Sequence, residues 1–218
     1  MTRRRIEDFL AILARELKRP ARAYVTGAAA AALWGRVRPS VDIDIGVQLI
    51  GRRGAADWQV VEEAVKRTTR LTAIPANVAE DIDRWGMITL LDYRRSSRRY
   101  RRFGQLEVRL LDPINWSIGK LTRFLGSDIR DVAVVFRKKG IRAAAAARIW
   151  GRALRASPAS TSQFQFRRNV EQFLATEGRA IWGREFEVAP ALAVFDRASG
   201  TRRSSGRSGA AQRQQERR

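Results

Sequence analysis

The sequence predicts an α/β (α+β) fold, in which a small mixed β-sheet is flanked by helices and followed by C-terminal helices. Short β-prone runs such as AYVTG and VDIDIGV alternate with longer segments of helical periodicity. No internal repeat of about 20–50 residues is visible. The chain has 218 residues, of which 44% are hydrophobic, and is therefore long enough for one domain with a real core.

The N-terminal half predicts alternating helices and strands. Apolar residues at helical spacing predict a first helix that ends near Pro20. AYVTG then predicts a strand ending at Gly27, AAAAALWG a helix ending at Gly35, and VDIDIGV a strand with one face in the core. WQVVEEAVKRTT predicts the next helix. MITLLDY and QLEVRLLD predict two further strands, and RRSSRRYRRFG a basic turn between them.

The C-terminal half predicts helices and a tail. Asp112-Pro113 is typical of a helix start, as is Ser127-Asp128, and two more helices are expected before residue 183. Residues 197–218 are low in complexity and predict a disordered basic tail. We therefore expect a domain over residues 1–140, a helical region over 141–196 and the tail over 197–218.

The composition restricts the function. Forty-three Lys and Arg against 22 Asp and Glu give a net charge of +21, of which the tail supplies +6. This excess favours a polyanionic partner, most simply nucleic acid. The absence of Cys and His excludes disulfides, Cys or His zinc sites and histidine catalysis, so any metal is expected to be Mg²⁺ or Mn²⁺ on carboxylates. No apolar stretch long enough for a membrane span and no secretory segment is visible, which favours a cytoplasmic protein without membrane contact.

Residues 24–47 carry the clearest chemical signal. A strand runs into Gly27 and a helix begins there, so its backbone N–H groups are placed to meet phosphate oxygens. Asp42 and Asp44 are two residues apart on the next strand and are expected to share one face, while Ile43 and Ile45 are buried on the other. Two such carboxylates suit one or two Mg²⁺ ions for phosphoryl transfer, chemistry that needs no histidine.

This segment resembles the signature of the DNA polymerase beta-type nucleotidyltransferase superfamily. Thr26-Gly27-Ala28 is followed, after thirteen residues, by Asp42-Ile43-Asp44-Ile45. The stretch RPSVDID, which contains Arg38 and Ser40, is similar to a form common in the small bacterial branch with AbiEii-type and MNT-type members. LEVRLLDPINWSIGKLTRFLGSDIRDV resembles a later pattern of that branch and contributes a proline, a lysine and two acids: Pro113, Lys120, Asp128 and Asp131.

The resemblance, which covers roughly residues 20–140, implies a nucleotidyltransferase fold and a magnesium-dependent enzyme that transfers NMP from an NTP to a hydroxyl. It implies that Asp42 and Asp44 ligate metal, with a third carboxylate from Glu107 as first choice or Asp92 as second. The nucleotide would be bound through Gly27, Ala28, Arg38, Ser40 and Lys120. Ala28 departs from the family, which has Gly or Ser there. The charge favours RNA, such as a tRNA end, as acceptor, and the branch implies a toxin–antitoxin or phage-defence setting with a possible antitoxin partner.

Several features of the sequence allow more than one interpretation. Asp128 and Asp131 also fit a helix cap and an acidic first turn, and Lys120 also fits a solvated helix lysine. An arginine run interleaved with aromatic residues either contacts RNA or DNA or is a solvated hairpin. The chain as a whole is either the enzyme, a catalytically degenerate nucleic-acid- or partner-binding module, or an enzyme that adenylylates a small molecule. The arginine run that either contacts nucleic acid or is a solvated hairpin consists of Arg94, Arg95, Arg98, Arg99, Arg101 and Arg102.

Overall fold

A mixed β-sheet lies at the centre of the molecule. The computed structural model describes residues 1–35, 41–51, 54 and 56–200. Within these residues the strands are β1 Ala21–Val25, β2 Ile43–Leu49, β3 Ala76–Ala79, β4 Arg98–Phe103 and β5 Leu106–Leu110. They form one sheet in the order β3-β2-β1-β5-β4. Strand β1 is antiparallel to β2 and parallel to β5, β2 is parallel to β3, and β4 is antiparallel to β5.

Helices flank this sheet and continue beyond it. In the described part of the chain they are α1 Arg3–Leu17, α2 Gly27–Leu33, α3 Asp57–Thr72, α4 Tyr93–Ser96, α5 Pro113–Arg123, α6 Gly126–Lys139, α7 Ala143–Ala156, α8 Thr161–Trp182 and α9 Val188–Ser199. The predicted α/β class, with a mixed sheet flanked by helices, is confirmed. The finer assignment to a nucleotidyltransferase fold stays a prediction, as does the division at residue 140. No helix among these is both long and apolar enough to span a membrane.

The two faces of the sheet differ in polarity because side chains alternate along each strand. Ile43, Ile45 and Val47 of β2 are buried on one face. They belong to the same core as the apolar side of α1, including Phe9 and Leu13. The other face carries the polar residues of β2 and of its neighbours. The period-two pattern of VDIDIGV therefore predicted the strand and its faces correctly.

The prediction of a strand in MITLLDY is wrong. Residues 87–92 form no strand and follow a 3₁₀ turn at Ile82–Trp85. Side chains bind their backbone in place of a neighbouring strand: the Thr89 N–H donates to Ser157 Oγ at 2.9 Å, and the Leu90 N–H donates to the Asp83 carboxylate. Ile88 is buried, so the apolar residues of this segment fill the interior without sheet pairing.

The prediction of a basic turn over RRSSRRYRRFG is also wrong. It contains α4 and then β4, which pairs with β5 along the edge of the sheet. Tyr100 and Phe103 pack against the core while the arginines between them are exposed. Charged side chains suit an edge strand, because they oppose further strand pairing. Strand β3, which the sequence analysis did not predict, forms the other edge.

The C-terminal helices pack around aromatic residues and one close backbone contact. Phe136 and Trp150 stack with ring centroids 5.8 Å apart, and Phe173 meets both rings edge-on. A Cβ at Gly151 of α7 would lie 2.5 Å from Phe195 O and 2.7 Å from the Ala198 Cβ of α9, so only glycine permits this approach.

Helix α9 continues to Ser199 and so includes the first residues of the predicted tail, and residues 201–218 lie outside the described residues.

Candidate functional site

Asp44 lies against the turn that joins β1 to α2. The Thr26 N–H donates to the Asp44 carbonyl at 2.9 Å, which links the end of β1 to β2. Gly27 follows with φ +62°, and a Cβ there would lie 2.1 Å from Asp44 Oδ2. Any side chain at Gly27 would therefore displace the carboxylate. The structure thus brings together Gly27 and Asp44, as the sequence analysis expected, with half-buried Ala28 next in α2.

Asn77 joins Asp42 and Asp44. Strand β3 is parallel to β2, and Asn77 is the partner of Asp44 in the register. Its Nδ2 donates to Asp44 Oδ1 at 2.9 Å and to Asp42 Oδ2 at 3.2 Å. Both carboxylates are consequently within reach of one small group on the polar face of the sheet. Asn77 was missed in the sequence because only its setting between Ala76 and Val78 marks it, and that setting is common.

The electrostatic environment of Asp44 opposes its negative charge. Burial raises the pKa of the Asp44 carboxyl above its ordinary value of 3.8, the Asn77 hydrogen bond lowers it, and neighbouring Asp42 raises it. Desolvation and a nearby like charge both disfavour ionisation. A cation bound beside Asp42 and Asp44 would relieve both effects.

A cleft with a volume of about 230 Å³ opens beside Asp44. Its lining is partly apolar, with Met87 and Leu90, and partly polar, with Asp44 and Arg123. Trp116 lies in the wall and its Nε1 donates to Gly27 O at 2.7 Å, which fixes the β1–α2 turn. The lining residues are Thr26, Gly27, Asp44, Ile82, Gly86, Met87, Ile88, Leu90, Leu111, Asn115, Trp116, Gly119, Lys120, Thr122 and Arg123.

Lys120 is a buried cation beneath this cleft. Its side chain is only 2% exposed, and Nζ donates to Asp128 Oδ1 at 2.6 Å and to Asp131 Oδ2 at 2.9 Å. The alternative of a solvated helix lysine is therefore wrong. Asp128 is not the helix cap, because α6 begins at Gly126 and Leu125 occupies the cap position, but it does lie in an acidic first turn, as the same alternative expected. Arg123, which the sequence analysis did not single out, also pairs with Asp128 at 3.1 Å.

The structure does not bring Glu107 to Asp42 and Asp44. Glu107 pairs with Arg22 in the register of β5 and β1, and Arg22 is four residues before Thr26, the neighbour of Asp44. At about 3.3 Å per residue, Glu107 lies roughly 13 Å further along the sheet. It accepts from Arg109 at 2.8 Å, and this hydrogen bond, together with the positive charges of Arg22 and Arg109, lowers its pKa.

The remaining predicted site residues do not complete a three-carboxylate site. Asp92 precedes α4 in a left-handed conformation, with its carbonyl accepting from the N–H groups of Arg95 and Ser96. Arg38 and Ser40 lie outside the described residues. Within the described ranges no group of three or more His, Cys, Asp or Glu side chains is arranged to hold a metal ion. Asn77 of β3 joins Asp42 and Asp44, and the third carboxylate expected from Glu107 or Asp92 is not found beside them among the described residues.

Comparison of the chain with protein-family models, with curated proteins and with solved structures finds no match. The geometry of the site is therefore the basis for the functional assignment.

Proposed function

We propose that this chain is a magnesium- or manganese-dependent nucleotidyltransferase that transfers NMP from an NTP to a hydroxyl acceptor, with RNA as the acceptor. The observation that supports this most directly is the contact between Asp44 and Gly27 at the mouth of the cleft. The Asp44 carboxylate meets there a left-handed turn at Gly27, where the absence of a Cβ leaves the backbone accessible to phosphate oxygens.

The residues present fit one divalent cation. Asp42 and Asp44 share one amide donor, so both carboxylates converge on one region of the polar face of the sheet. Mg²⁺ in nucleotide sites is commonly held by one or two carboxylates, with water and phosphate oxygens as its other ligands. Bound there, the ion would neutralise charge on the triphosphate. A second ion held by Glu107 has no support in the geometry.

The cleft supplies complementary surfaces for a nucleotide. The apolar part of the lining, with exposed Met87 and half-buried Leu90, suits the base, and Arg123 lines the same cleft as Asp44 and suits the phosphates. In the proposed reaction the acceptor oxygen bonds to the α-phosphorus. The bond between the α-phosphorus and the oxygen that bridges to the β-phosphate breaks, which releases pyrophosphate. The hydroxyl proton passes to the carboxylate pair.

Transfer of label from an α-³²P-labelled NTP to RNA tests the proposal. The double variant Asp42→Asn/Asp44→Asn should lose at least about a hundredfold of the labelling rate, on the scale of removing charge stabilisation from an active site. Glu107→Gln is the matched control, since it makes the same change on another strand of the sheet. Undiminished labelling by the double variant, or an equal loss in the control, would contradict the proposal.

Asn77 favours one second candidate, a module that binds nucleotide or nucleic acid without chemistry. An amide in place of a third carboxylate leaves the cation with fewer ligands and the acceptor with fewer bases. In that case wild-type protein is stabilised against heat by NTP with Mg²⁺, loses this stabilisation in the double variant, and transfers no label. Transfer of label by the wild type eliminates this candidate.

A further inference from the structure

We infer that a groove between α7 and α9 is a second polyanion site, which binds the phosphodiester backbone of a nucleic acid. Four exposed arginines line it, and its volume is about 360 Å³. This surface, here called the arginine groove, consists of Arg148, Arg152, Arg155 and Arg197. It was not singled out in the sequence, because the four residues come together only when the two helices pack.

The spacing along α7 places three of these arginines on one side of the helix. Arg148, Arg152 and Arg155 are related by i, i+4 and i+7, so their side chains project in similar directions. At 1.5 Å per residue they span about 10 Å of helix axis. Arg197, near the C-terminus of α9, completes the groove from its other wall. Along the axis of a duplex each strand presents a phosphate about every 3.4 Å, so this span corresponds to about three of them.

No acid neutralises the arginine groove within the described residues. None of its four guanidinium groups forms an ion pair or a hydrogen bond there, and α7 contains no acidic residue. Helix α9 has a single acid, Asp196, which accepts from Arg167 of α8 at 2.6 Å. Arg167 is thus provided with a carboxylate while the groove is not.

The helix dipole explains only part of this cluster. Arg155 and Arg197 lie in the last turns of their helices, where a positive charge is favourable. Arg148 and Arg152 lie in the middle of α7, and like charges at i and i+4 repel each other. Their side chains are exposed and bury no partner, so folding alone does not account for them. A ligand of phosphate groups does, because guanidinium matches phosphate with paired hydrogen bonds.

The arginine groove is connected to the cleft through the end of α7. Ser157 directly follows α7, and its Oγ accepts from the Thr89 N–H at 2.9 Å. Thr89 lies between Ile88 and Leu90, both of which line the cleft. A strand held in the groove therefore lies beside an element that touches the candidate site. The inference does not rest on nucleotidyl transfer, since it concerns binding alone.

Binding of a fluorescent oligonucleotide by the full chain, without NTP, tests this inference. Arg148→Ala/Arg152→Ala should weaken binding about tenfold at moderate salt. It should also reduce the slope of log K against log salt by about 1.4 to 1.8, as expected for two lost phosphate contacts. Arg179→Ala/Arg184→Ala removes the same charge from exposed positions outside the groove and should leave the slope unchanged. Melting temperatures establish that all variants are folded.

Three outcomes would overturn the inference. They are an unchanged slope in the groove variant, an equal fall in the control, and selective binding of polyglutamate in place of the oligonucleotide, which would assign the groove to an acidic protein. Parallel RNA and DNA strands distinguish the ligand: a groove-dependent loss with RNA alone assigns the site to RNA, and a loss with both assigns it to the phosphodiester backbone in general.

Discussion

Asp44 and Glu107 have similar local sequences but opposite electrostatic environments. Each lies between two apolar residues on a strand, and the register from Gln48 through Arg22 to Glu107 places both on the same face of the sheet. Yet burial raises the pKa of Asp44, whereas the Arg109 hydrogen bond lowers that of Glu107. One carboxylate faces a cleft and an amide, and the other faces arginines.

The difference shows what alternation along a strand can predict. It indicates which face a side chain occupies, because the period of a strand is two residues. It does not indicate which strands lie on either side, and those neighbours contribute part of the charge and solvation. Asp44 is beside β3, which supplies Asn77, while Glu107 meets Arg22 of β1 as well as Arg109 of its own strand.

Removal of the buried Lys120 ammonium should have the largest effect on stability. It tests a third kind of carboxylate environment, in which the acid is buried beside a cation. Lys120→Met withdraws the ammonium from Asp128 and Asp131, which are almost fully buried. We expect a loss of about 3 kcal/mol in the free energy of unfolding, since breaking a buried ion pair strands its partner. Denaturant titration measures it. Lys66→Met, at the exposed pair with Glu63, should change stability by less than about 0.5 kcal/mol. Similar losses in the two variants would contradict the comparison.

A third carboxylate beside Asp42 and Asp44 should have an intermediate effect that depends on metal. Asn77→Asp replaces a donor with a like charge, so without divalent cations we expect a loss of about 1 kcal/mol. Added Mg²⁺ should raise the melting temperature of this variant more than that of the wild type. Asn77→Ala, which removes the donor without adding charge, is the control. An equal response of all three proteins to Mg²⁺ would argue against a cation site there.

The smallest expected effects are pH-dependent changes in stability, which have opposite signs for Asp44 and Glu107. They are measured in the presence of a chelator. The raised pKa of Asp44 means that its charge destabilises the native state, and stability falls as the pH rises from 3.8 through the folded-state pKa. Asp44→Asn should therefore be more stable than the wild type at neutral pH. The lowered pKa of Glu107 means that its charge stabilises the native state above pH 4.5. This stabilisation is lost as the pH falls through the folded-state pKa. Glu107→Gln should lose up to about 1 kcal/mol at neutral pH. Changes of the same sign would show that the two environments are alike.

Local sequence signals predicted the elements whose periodicity matches their burial. Strand β2 and helix α5 are examples, and Asp112 caps α5 by accepting from the Ile114 and Asn115 N–H groups, as Asp112-Pro113 indicated. Strand β4 was missed because four of its six residues are arginines. It forms through pairing with β5, a contact that periodicity does not register.

The sequence predicted only the part of the candidate site that one continuous segment of the chain supplies. Gly27 and Asp44 lie on consecutive elements, so their contact followed from the order of strand, turn, helix and strand. Asn77 reaches Asp44 through the parallel pairing of β2 with β3, after an intervening helix. Lys120 was placed on a helix correctly, but its burial depends on the packing of α5 against α6, which brings Asp128 and Asp131 to it.

The close approach at Gly151 determines how the arginine groove forms. Gly151 touches Ala198, so the neighbouring residues Arg152 and Arg197 are held on adjoining helices by uncharged backbone and methyl contacts. The separation of the two walls is thus fixed before any anion arrives, and association requires only side-chain ordering.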